Sequence, residues 1–210
     1  MPCIIFDFDG TLADTEKGIT ETFQRTLENM GRERVDVARI KGVIGLPLKQ
    51  NFTDGADMAD EDADRAVVIY RELFMDIALQ TVTLFPGVKE ALKALSDRKI
   101  PMAIASSRGE GSLRELSHFL GISEYIPDNH IFGVESVARP KPAPDMVYAI
   151  LARLGAKPEE TLVIGDTTFD IEMGRAAGAH TCGVTYGNQP ASRLKTALPD
   201  YLVDDLRRLI

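Results

Sequence analysis

Short apolar runs alternate with helical segments in the second half of the sequence, and this alternation restricts the fold more than any other feature. The apolar runs lie at residues 101–105, 131–134, 161–164, 179–184 and 201–203. Such runs, separated by glycines and prolines, are typical of strands buried on both faces. Strand-helix-strand alternation requires parallel strands with helices packed against both faces of the sheet. The sequence therefore predicts a doubly wound α/β fold, with helices at about 87–98, 113–120, 143–154 and 169–177.

A helical block interrupts this pattern near the start of the chain. Residues 15–81 contain apolar side chains at helical spacing and no convincing strand, and we expect helices at about 16–30, 35–41, 46–52 and 60–80. An apolar run at residues 3–6 precedes the block and predicts a first strand. We interpret the block as an all-helical cap subdomain inserted into a sheet domain of residues 1–14 and 82–210, with hinges near 13–16 and 80–84.

Two carboxylates follow the first predicted strand. In an extended backbone, side chains two positions apart share a face, so Asp7 and Asp9 would point the same way while Phe8 turns into the core. The carboxyl ends of parallel strands are where ligands bind in open α/β sheets. An Asp-Gly turn that caps the next helix explains the local sequence equally well, so both interpretations stay open at this point.

Polar residues also end two later strands. Ser106 follows the run 101–105, and Asp166 and Asp170 follow the run 161–164. Because parallel strands end along one edge, these aspartates would gather with Asp7 and Asp9 into a cluster too negative to be stable without a cation. Mg²⁺ prefers oxygen ligands and typically takes carboxylates together with a substrate phosphate. The sequence predicts a magnesium site at this edge.

Lys141 is the cation best placed in the sequence to join that cluster. It lies in the segment Arg-Pro-Lys-Pro-Ala-Pro-Asp, where the flanking prolines favour a stiff, extended backbone. A lysine binds phosphate well as a point charge. The alternative is an ordinary surface lysine in a proline-rich turn.

Charge and composition exclude several classes of protein. A net charge of −8 argues against binding of nucleic acid, and no apolar run approaches the roughly 20 residues of a membrane span. We expect a cytoplasmic protein, because the N-terminus lacks the basic start and cleavage signal of a secreted one. Cys3 and Cys182 lack metal-type spacing and are predicted to be reduced core residues. The acidic residues between 54 and 64 are interpreted as a solvated helix start.

Four motifs resemble, in order and context, one family of enzymes. Asp-Phe-Asp-Gly-Thr at 7–11, the strand-end Ser106, Lys-Pro-Ala-Pro-Asp at 141–145 and Gly-Asp-Thr-Thr-Phe-Asp at 165–170 together are similar to the haloacid dehalogenase (HAD) superfamily of aspartate-nucleophile phosphatases. The resemblance covers essentially the whole chain. It implies a Rossmann-like core, an inserted helical cap and a Mg²⁺-dependent phosphatase of a small phosphorylated metabolite, as a monomer or homodimer.

The resemblance also implies roles for individual residues. Asp7 would be the nucleophile, and Asp9 would act as general acid and then general base. Asp7, the backbone carbonyl of Asp9 and Asp166 would hold Mg²⁺, with Asp170 as a further ligand or outer partner. Phosphate would be bound by two sets of groups: the side chains of Ser106, Ser107 and Lys141, and the turn that includes Gly10 and Thr11.

The sequence leaves the substrate open. The motifs look closest to phosphoglycolate phosphatases, but Ser107-Arg108 stands where an asparagine-lysine pair is expected. Lys41, Lys49 and Arg108 are the candidates for binding a substrate carboxylate, and each is otherwise a solvated surface charge. Asp9 argues against the dehalogenase branch, which lacks an aspartate at that position. A sugar-phosphate mutase or a non-catalytic phosphate-binding protein remains an alternative.

Overall fold

The computed structural model describes residues 3–210, and within them a six-stranded parallel sheet forms the core. The described residues form eight strands, of which β2 and β3 make a separate pair outside this sheet. They are β1 (Cys3–Phe6), β2 (Ala13–Asp14), β3 (Thr83–Leu84), β4 (Met102–Ala105), β5 (Ile131–Phe132), β6 (Thr161–Gly165), β7 (His180–Val184) and β8 (Tyr201–Val203). The sheet order is β5-β4-β1-β6-β7-β8, and every neighbouring pair is parallel. The predicted α/β fold with a parallel sheet is confirmed.

The helices lie close to the predicted positions. They are α1 (Glu16–Asn29), α2 (Val37–Val43), α3 (Leu48–Ala56), α4 (Asp60–Thr81), α5 (Val88–Asp97), α6 (Glu110–Phe119), α7 (Asp145–Leu154), α8 (Thr168–Ala176) and α9 (Ala191–Thr196). The short helix α9 and the strands β2 and β3 were not predicted. Two-residue strands and a six-residue helix are too short for apolar periodicity to identify.

The first strand shows how the sheet packs on both faces. Ile4 and Phe6 point into the cluster that includes the apolar side chains of α5 and α6. Cys3 and Ile5 point to the opposite face, into the cluster formed with α7 and α8. This alternation is the two-residue period of a strand, and a strand apolar on both faces is required at the centre of such a sheet.

Helices α1 to α4, which we call the cap, lie between β2 and β3. Strands β2 and β3 pair antiparallel, with Ala13 opposite Leu84, at the place where the chain leaves the sheet and returns to it. Within the cap, Phe23 of α1 stacks on Phe52 of α3 with ring centroids 4.3 Å apart. The division into subdomains at residues 14/15 and 81/82 stays a prediction.

Three further predictions concern membrane spans, the cysteines and the acidic residues of the cap. No helix formed by residues 3–210 is both long and apolar enough to cross a membrane. Cys3 and Cys182 are free and buried, as predicted, and burial raises the pKa of Cys3 to about 11 and that of Cys182 to about 12. The acidic residues at the start of α4 are exposed, and Lys49 pairs with two of them, Asp60 and Asp64.

Candidate active site

Three polar strand ends lie side by side because β4, β1 and β6 are neighbours in the sheet. Asp7 follows β1, Ser106 follows β4 and Asp166 follows β6. The Asp7 amide continues the ladder beyond β1 by donating to the Ile164 carbonyl at 2.8 Å. The sheet therefore fixes the backbone of Asp7 and sets its side chain at the edge where ligands bind in this class of fold.

Lys141 lies between two carboxylates, one from the loop after β1 and one from the first turn of α8. Its Nζ donates to Asp7 Oδ1 and to Asp170 Oδ1, both at 2.6 Å. The Lys141 and Asp170 side chains are each 2% exposed, so the alternative of a surface lysine does not hold. Burial opposes the charge of Lys141, but the Asp170 and Asp7 carboxylates outweigh it and raise its pKa. Lys141 is therefore a permanent positive charge against the Asp7 side chain.

Asp7, Asp166 and Asp170 form a compact group of buried carboxylates. One oxygen from each lies within 4.8 Å of the others. Burial raises the pKa of Asp7 well above its usual value, Lys141 lowers it, and the neighbouring carboxylates raise it further. Burial and Asp170 likewise raise the pKa of Asp166 to about 7. Converging carboxylate oxygens are the donors that a hard divalent cation prefers, so these residues fit Mg²⁺.

The Asp170 carboxylate is already engaged on both sides. Its Oδ2 accepts from the Thr167 amide at 3.0 Å and from the Thr167 hydroxyl at 2.7 Å, which caps the start of α8. Its Oδ1 accepts from Lys141. Of the two roles that the sequence left open for Asp170, the outer partner suits these contacts better than a direct ligand.

Asn188 belongs to this site and was missed by the sequence analysis. Its amide and its side-chain Nδ2 donate to Asp166 Oδ2 at 2.6 and 2.8 Å. Nδ2 also lies 3.3 Å from the backbone oxygen of Asp9, so it ties two predicted metal-binding groups together. Asn188 follows the end of β7, and the strand-end rule that identified Asp7 and Asp166 could have identified it too.

Two glycines allow the loops around Asp166 to approach closely. A Cβ atom at Gly187 would lie 2.3 Å from Asp166 Cβ, and one at Gly10 would lie 2.2 Å from Asp166 Oδ2. Gly10 also has a φ of 89°, which favours glycine. Neither position tolerates a side chain without moving Asp166.

In the turn of residues 8–11, which the resemblance implied as a phosphate-binding turn, the Gly10 and Thr11 amides bond to carbonyls of the turn and of Ala13. The Gly10 amide donates to the Ala13 carbonyl at 2.9 Å, and the Thr11 amide donates to the Phe8 carbonyl at 3.3 Å. The Thr11 hydroxyl donates to Asp166 Oδ1 at 3.3 Å. These hydrogen bonds hold the turn in shape, so the donors of Gly10 and Thr11 point into the protein and not into the cavity. Gly10 and Thr11 therefore support Asp166 in this arrangement.

The Asp9 carboxylate lies apart from the other three and pairs with Arg108. The Arg108 Nε lies 3.0 Å from Asp9 Oδ2 and 3.2 Å from Oδ1, and its Nη2 lies 2.8 Å from Oδ1. The sequence led us to expect this carboxylate beside the other three, whereas in the structure it faces Arg108, and the Asp9 backbone carbonyl stays a predicted metal-binding group. The Arg108 guanidinium, which the sequence offered either as a substrate-binding cation or as a surface charge, is a two-pronged partner for the Asp9 side chain.

Arg108 is itself held by the cap. Its guanidinium lies over the Phe74 ring of α4, 4.0 Å from the ring centre, and its side chain is only 9% exposed. Burial opposes its charge, but Asp9 raises its pKa. The Arg108 amide donates to the Ser106 hydroxyl oxygen at 3.2 Å, and the Ser107 hydroxyl donates to the Gly45 carbonyl at 2.6 Å. The loop after β4 thus contacts both the reactive edge and the cap.

A cavity of about 560 Å³ separates the sheet edge from the cap. Its polar floor includes Asp7, Asp9, Ser106, Ser107 and Arg108. Its cap side is largely apolar, with Ile19, Ile44, Leu46, Leu48, Val67, Tyr70, Phe74 and Met75. Of the other predicted substrate-binding cations, Lys49 lies at its edge, while Lys41 is exposed on α2 and pairs with Glu16.

Comparison with known proteins finds relatives that match nearly the whole chain. Residues 4–184 match the model of the haloacid dehalogenase-like hydrolase family. The probable phosphatase IndB of Dickeya dadantii is 35% identical over 100% of this chain and 92% of its own length. A phosphoglycolate phosphatase of Pectobacterium atrosepticum is 31% identical over 96% of this chain and 87% of its own.

The fold has close counterparts among solved structures. A haloacid dehalogenase-like family hydrolase from Streptococcus pneumoniae superposes with a TM-score of 0.88 at 27% identity, and the match covers 100% of this chain and 96% of that one. The predicted resemblance is therefore confirmed over sequence and fold together. This chain belongs to the haloacid dehalogenase-like hydrolase family.

Proposed function

We propose that this protein is a Mg²⁺-dependent phosphatase that hydrolyses a small phosphomonoester through an aspartyl-phosphate intermediate on Asp7. The observation that carries the proposal is the position of the Asp7 carboxylate. It lines the cavity, Lys141 lies 2.6 Å from one of its oxygens, and Asp166 and Asp170 lie beside it. These positions support a nucleophile at Asp7, with a cation and a set of candidate metal ligands beside it.

The reaction would proceed in two displacements. An Asp7 oxygen attacks the phosphorus, the bond between phosphorus and the leaving oxygen breaks, and that oxygen takes a proton from Asp9. A water molecule, which gives a proton back to Asp9, then attacks the phosphorus and releases inorganic phosphate and free Asp7. Splitting one difficult displacement into two easier ones is the advantage of the covalent step.

The other residues would stabilise charge. Lys141 offsets the negative charge on Asp7 and on the phosphoryl group, and the Ser106 hydroxyl lies at the next strand end to hold a phosphoryl oxygen. Mg²⁺ held by Asp7, Asp166 and the Asp9 carbonyl would neutralise the phosphoryl charge when bound. Asn188 keeps the Asp166 carboxylate in place for that role.

The substrate class follows from the size and walls of the cavity together with the relatives. The phosphatases among the relatives support a phosphomonoester, and the phosphoglycolate phosphatase supports a small metabolite. A cavity of about 560 Å³ is large enough for a sugar phosphate beneath the apolar cap wall. A sugar-phosphate mutase would share the core residues, so the same experiment must separate the two activities.

The test is a phosphate-release screen over phosphorylated metabolites, with and without Mg²⁺, on the native protein and on Asp7→Asn. We expect Mg²⁺-dependent release of phosphate, and a loss of about 10⁴-fold or more in Asp7→Asn. Asp76→Asn, an exposed position on α4, is the matched control and should keep full activity. Retained activity in Asp7→Asn would refute the nucleophile. Conversion of sugar phosphates faster than phosphate release would favour the mutase.

A further inference from the structure

We propose that Arg108 is a specificity residue that holds Asp9 until a second anionic group of the substrate, separate from the transferred phosphoryl group, takes the place of Asp9. The enzyme would then favour phosphomonoesters whose alcohol part carries a carboxylate or a second phosphate. This inference rests on the proposed function, since it concerns how Asp9 becomes available to the leaving group.

The Asp9 carboxylate faces Arg108 through both of its oxygens. Three contacts of 2.8 to 3.2 Å from Arg108 Nε and Nη2 engage them. A general acid must come within about 2.6–3.2 Å of the leaving oxygen and must carry a proton, and a protonated Asp9 is a poorer acceptor for the guanidinium. We therefore expect the pair to separate, at least in part, during turnover.

If the pair separates, another anion must take the place of Asp9 beside Arg108. The side chains of Asp9 and Arg108 are 12% and 9% exposed, so water cannot fully solvate either charge if they part. Breaking a nearly buried ion pair without a substitute is strongly unfavourable. An anionic group on the substrate removes this obstacle, because the guanidinium then exchanges one anion for another.

Arg108 is positioned to exchange Asp9 for an anionic group of the substrate. It lines the cavity, and the Phe74 ring at 4.0 Å supports one face of its planar fork. A planar fork of donors matches a carboxylate or phosphate through two parallel hydrogen bonds. Lys141 cannot serve this purpose, since Asp7 and Asp170 already hold it.

The two other cations that line the cavity are less suited. Lys49 pairs with Asp60 and Asp64, and its side chain is 39% exposed. Arg71 lies 3.5 Å from Glu135 and is 60% exposed. Solvated charges at the rim contribute little to the recognition of one anion. Among the described lining residues, Arg108 is the cation closest to the reacting groups.

The test uses three two-carbon phosphoesters that differ only in the second group. 2-Hydroxyethyl phosphate has a neutral group, phosphoglycolate has a carboxylate, and ethane-1,2-diol bisphosphate has a second phosphate. The kcat/KM of the native enzyme, Arg108→Gln and Arg108→Lys is measured on each with Mg²⁺ present, and thermal unfolding shows whether each variant is folded.

We expect the native enzyme to prefer the anionic esters. In Arg108→Gln, kcat/KM for those esters should fall by about 10- to 100-fold, because the charged partner is lost. For the neutral ester it should rise several-fold, because Asp9 is free. Arg108→Lys, which keeps the charge but not the fork, should give an intermediate ratio. Comparison of the carboxylate and bisphosphate arms shows which anion is preferred.

A merely structural role of Arg108 could not change kcat/KM in opposite directions for neutral and anionic esters. Equal losses on all three esters in Arg108→Gln, or no preference in the native enzyme, would overturn the inference. If Arg108→Gln does not fold, an unchanged ratio in Arg108→Lys would overturn it. Asp7→Asn is measured in parallel: activity that persists in it refutes the proposed function, whereas its loss together with equal Arg108 effects refutes only the inference.

Discussion

Two buried ion-pair groups lie at the edge of the sheet, and they differ in whether the cap contacts them. The Lys141 group, with Asp7 and Asp170, is built from two loops of the core and the first turn of α8. The Arg108–Asp9 pair also joins core loops, but Phe74 of the cap covers it. This difference predicts different roles for the two groups. Groups held only by the core would carry the chemistry common to many substrates, and the group that touches the cap would respond to the particular substrate.

Replacing Lys141 should change activity and stability more than replacing a residue that only supports the site. In Lys141→Met the buried carboxylates of Asp7 and Asp170 lose their shared cation, and phosphatase activity should fall by about 10²- to 10³-fold. Without Mg²⁺, the free energy of unfolding should also fall by about 3 kcal/mol, because buried charges are left unpaired. Aryl phosphate hydrolysis and urea unfolding measure the two effects.

The matched control is Lys93→Met, which removes an exposed lysine that pairs with Asp97 within α5. Surface pairs of this kind contribute little, so both activity and stability should stay close to native. If Lys141→Met behaved like this control, the Lys141 group would have no special part in the site, and the contrast with the Arg108 pair would disappear.

A smaller effect should follow from replacing Asn188, which supports Asp166 without lying in the Lys141 group. Asn188→Ala removes the side-chain donor 2.8 Å from Asp166 Oδ2 and frees the Asp9 carbonyl. Loss of such an outer hydrogen bond typically weakens metal binding by about 10- to 100-fold. The Mg²⁺ concentrations for half-maximal activity and half-maximal thermal stabilisation should rise together, and activity should largely recover at saturating Mg²⁺.

Asn129→Ala, at an exposed position before β5, controls for this substitution and should leave the Mg²⁺ dependence as in the native protein. An Asn188→Ala variant with native Mg²⁺ dependence of both activity and thermal stability would show that Asp166 needs no support from the Asn188 side chain.

The difference between the two groups also explains which parts of the site could be predicted from the sequence. Asp7, Asp166 and Asp170 follow central strands, and the parallel sheet alone brings strand ends together, so a local pattern was enough to place them at one edge. Lys141 was identifiable because prolines restrict its segment. These predictions depend on backbone geometry, which apolar periodicity and turn residues encode directly.

The Arg108–Asp9 pair could not be predicted in this way. Its formation depends on the side-chain direction of Asp9 and on contact with Phe74 across the cavity, and neither follows from spacing along the chain. The amides of Gly10 and Thr11, which the resemblance implied as phosphate donors, bond within their own turn for a related reason. Strand-end position predicts which residues approach the site, whereas the tightness of the turn decides where their N–H groups point.

The central claim, that Asp7 becomes phosphorylated, is tested most directly by trapping the intermediate. Asp9→Asn should still transfer the phosphoryl group from an aryl phosphate, whose good leaving group needs little acid catalysis, but should hydrolyse the intermediate slowly. Rapid acid quenching, proteolysis and mass spectrometry should then find one phosphoryl group on the peptide that contains Asp7. Phosphorylation at another residue, or turnover with no phosphorylated peptide at any time of quenching, would contradict the account.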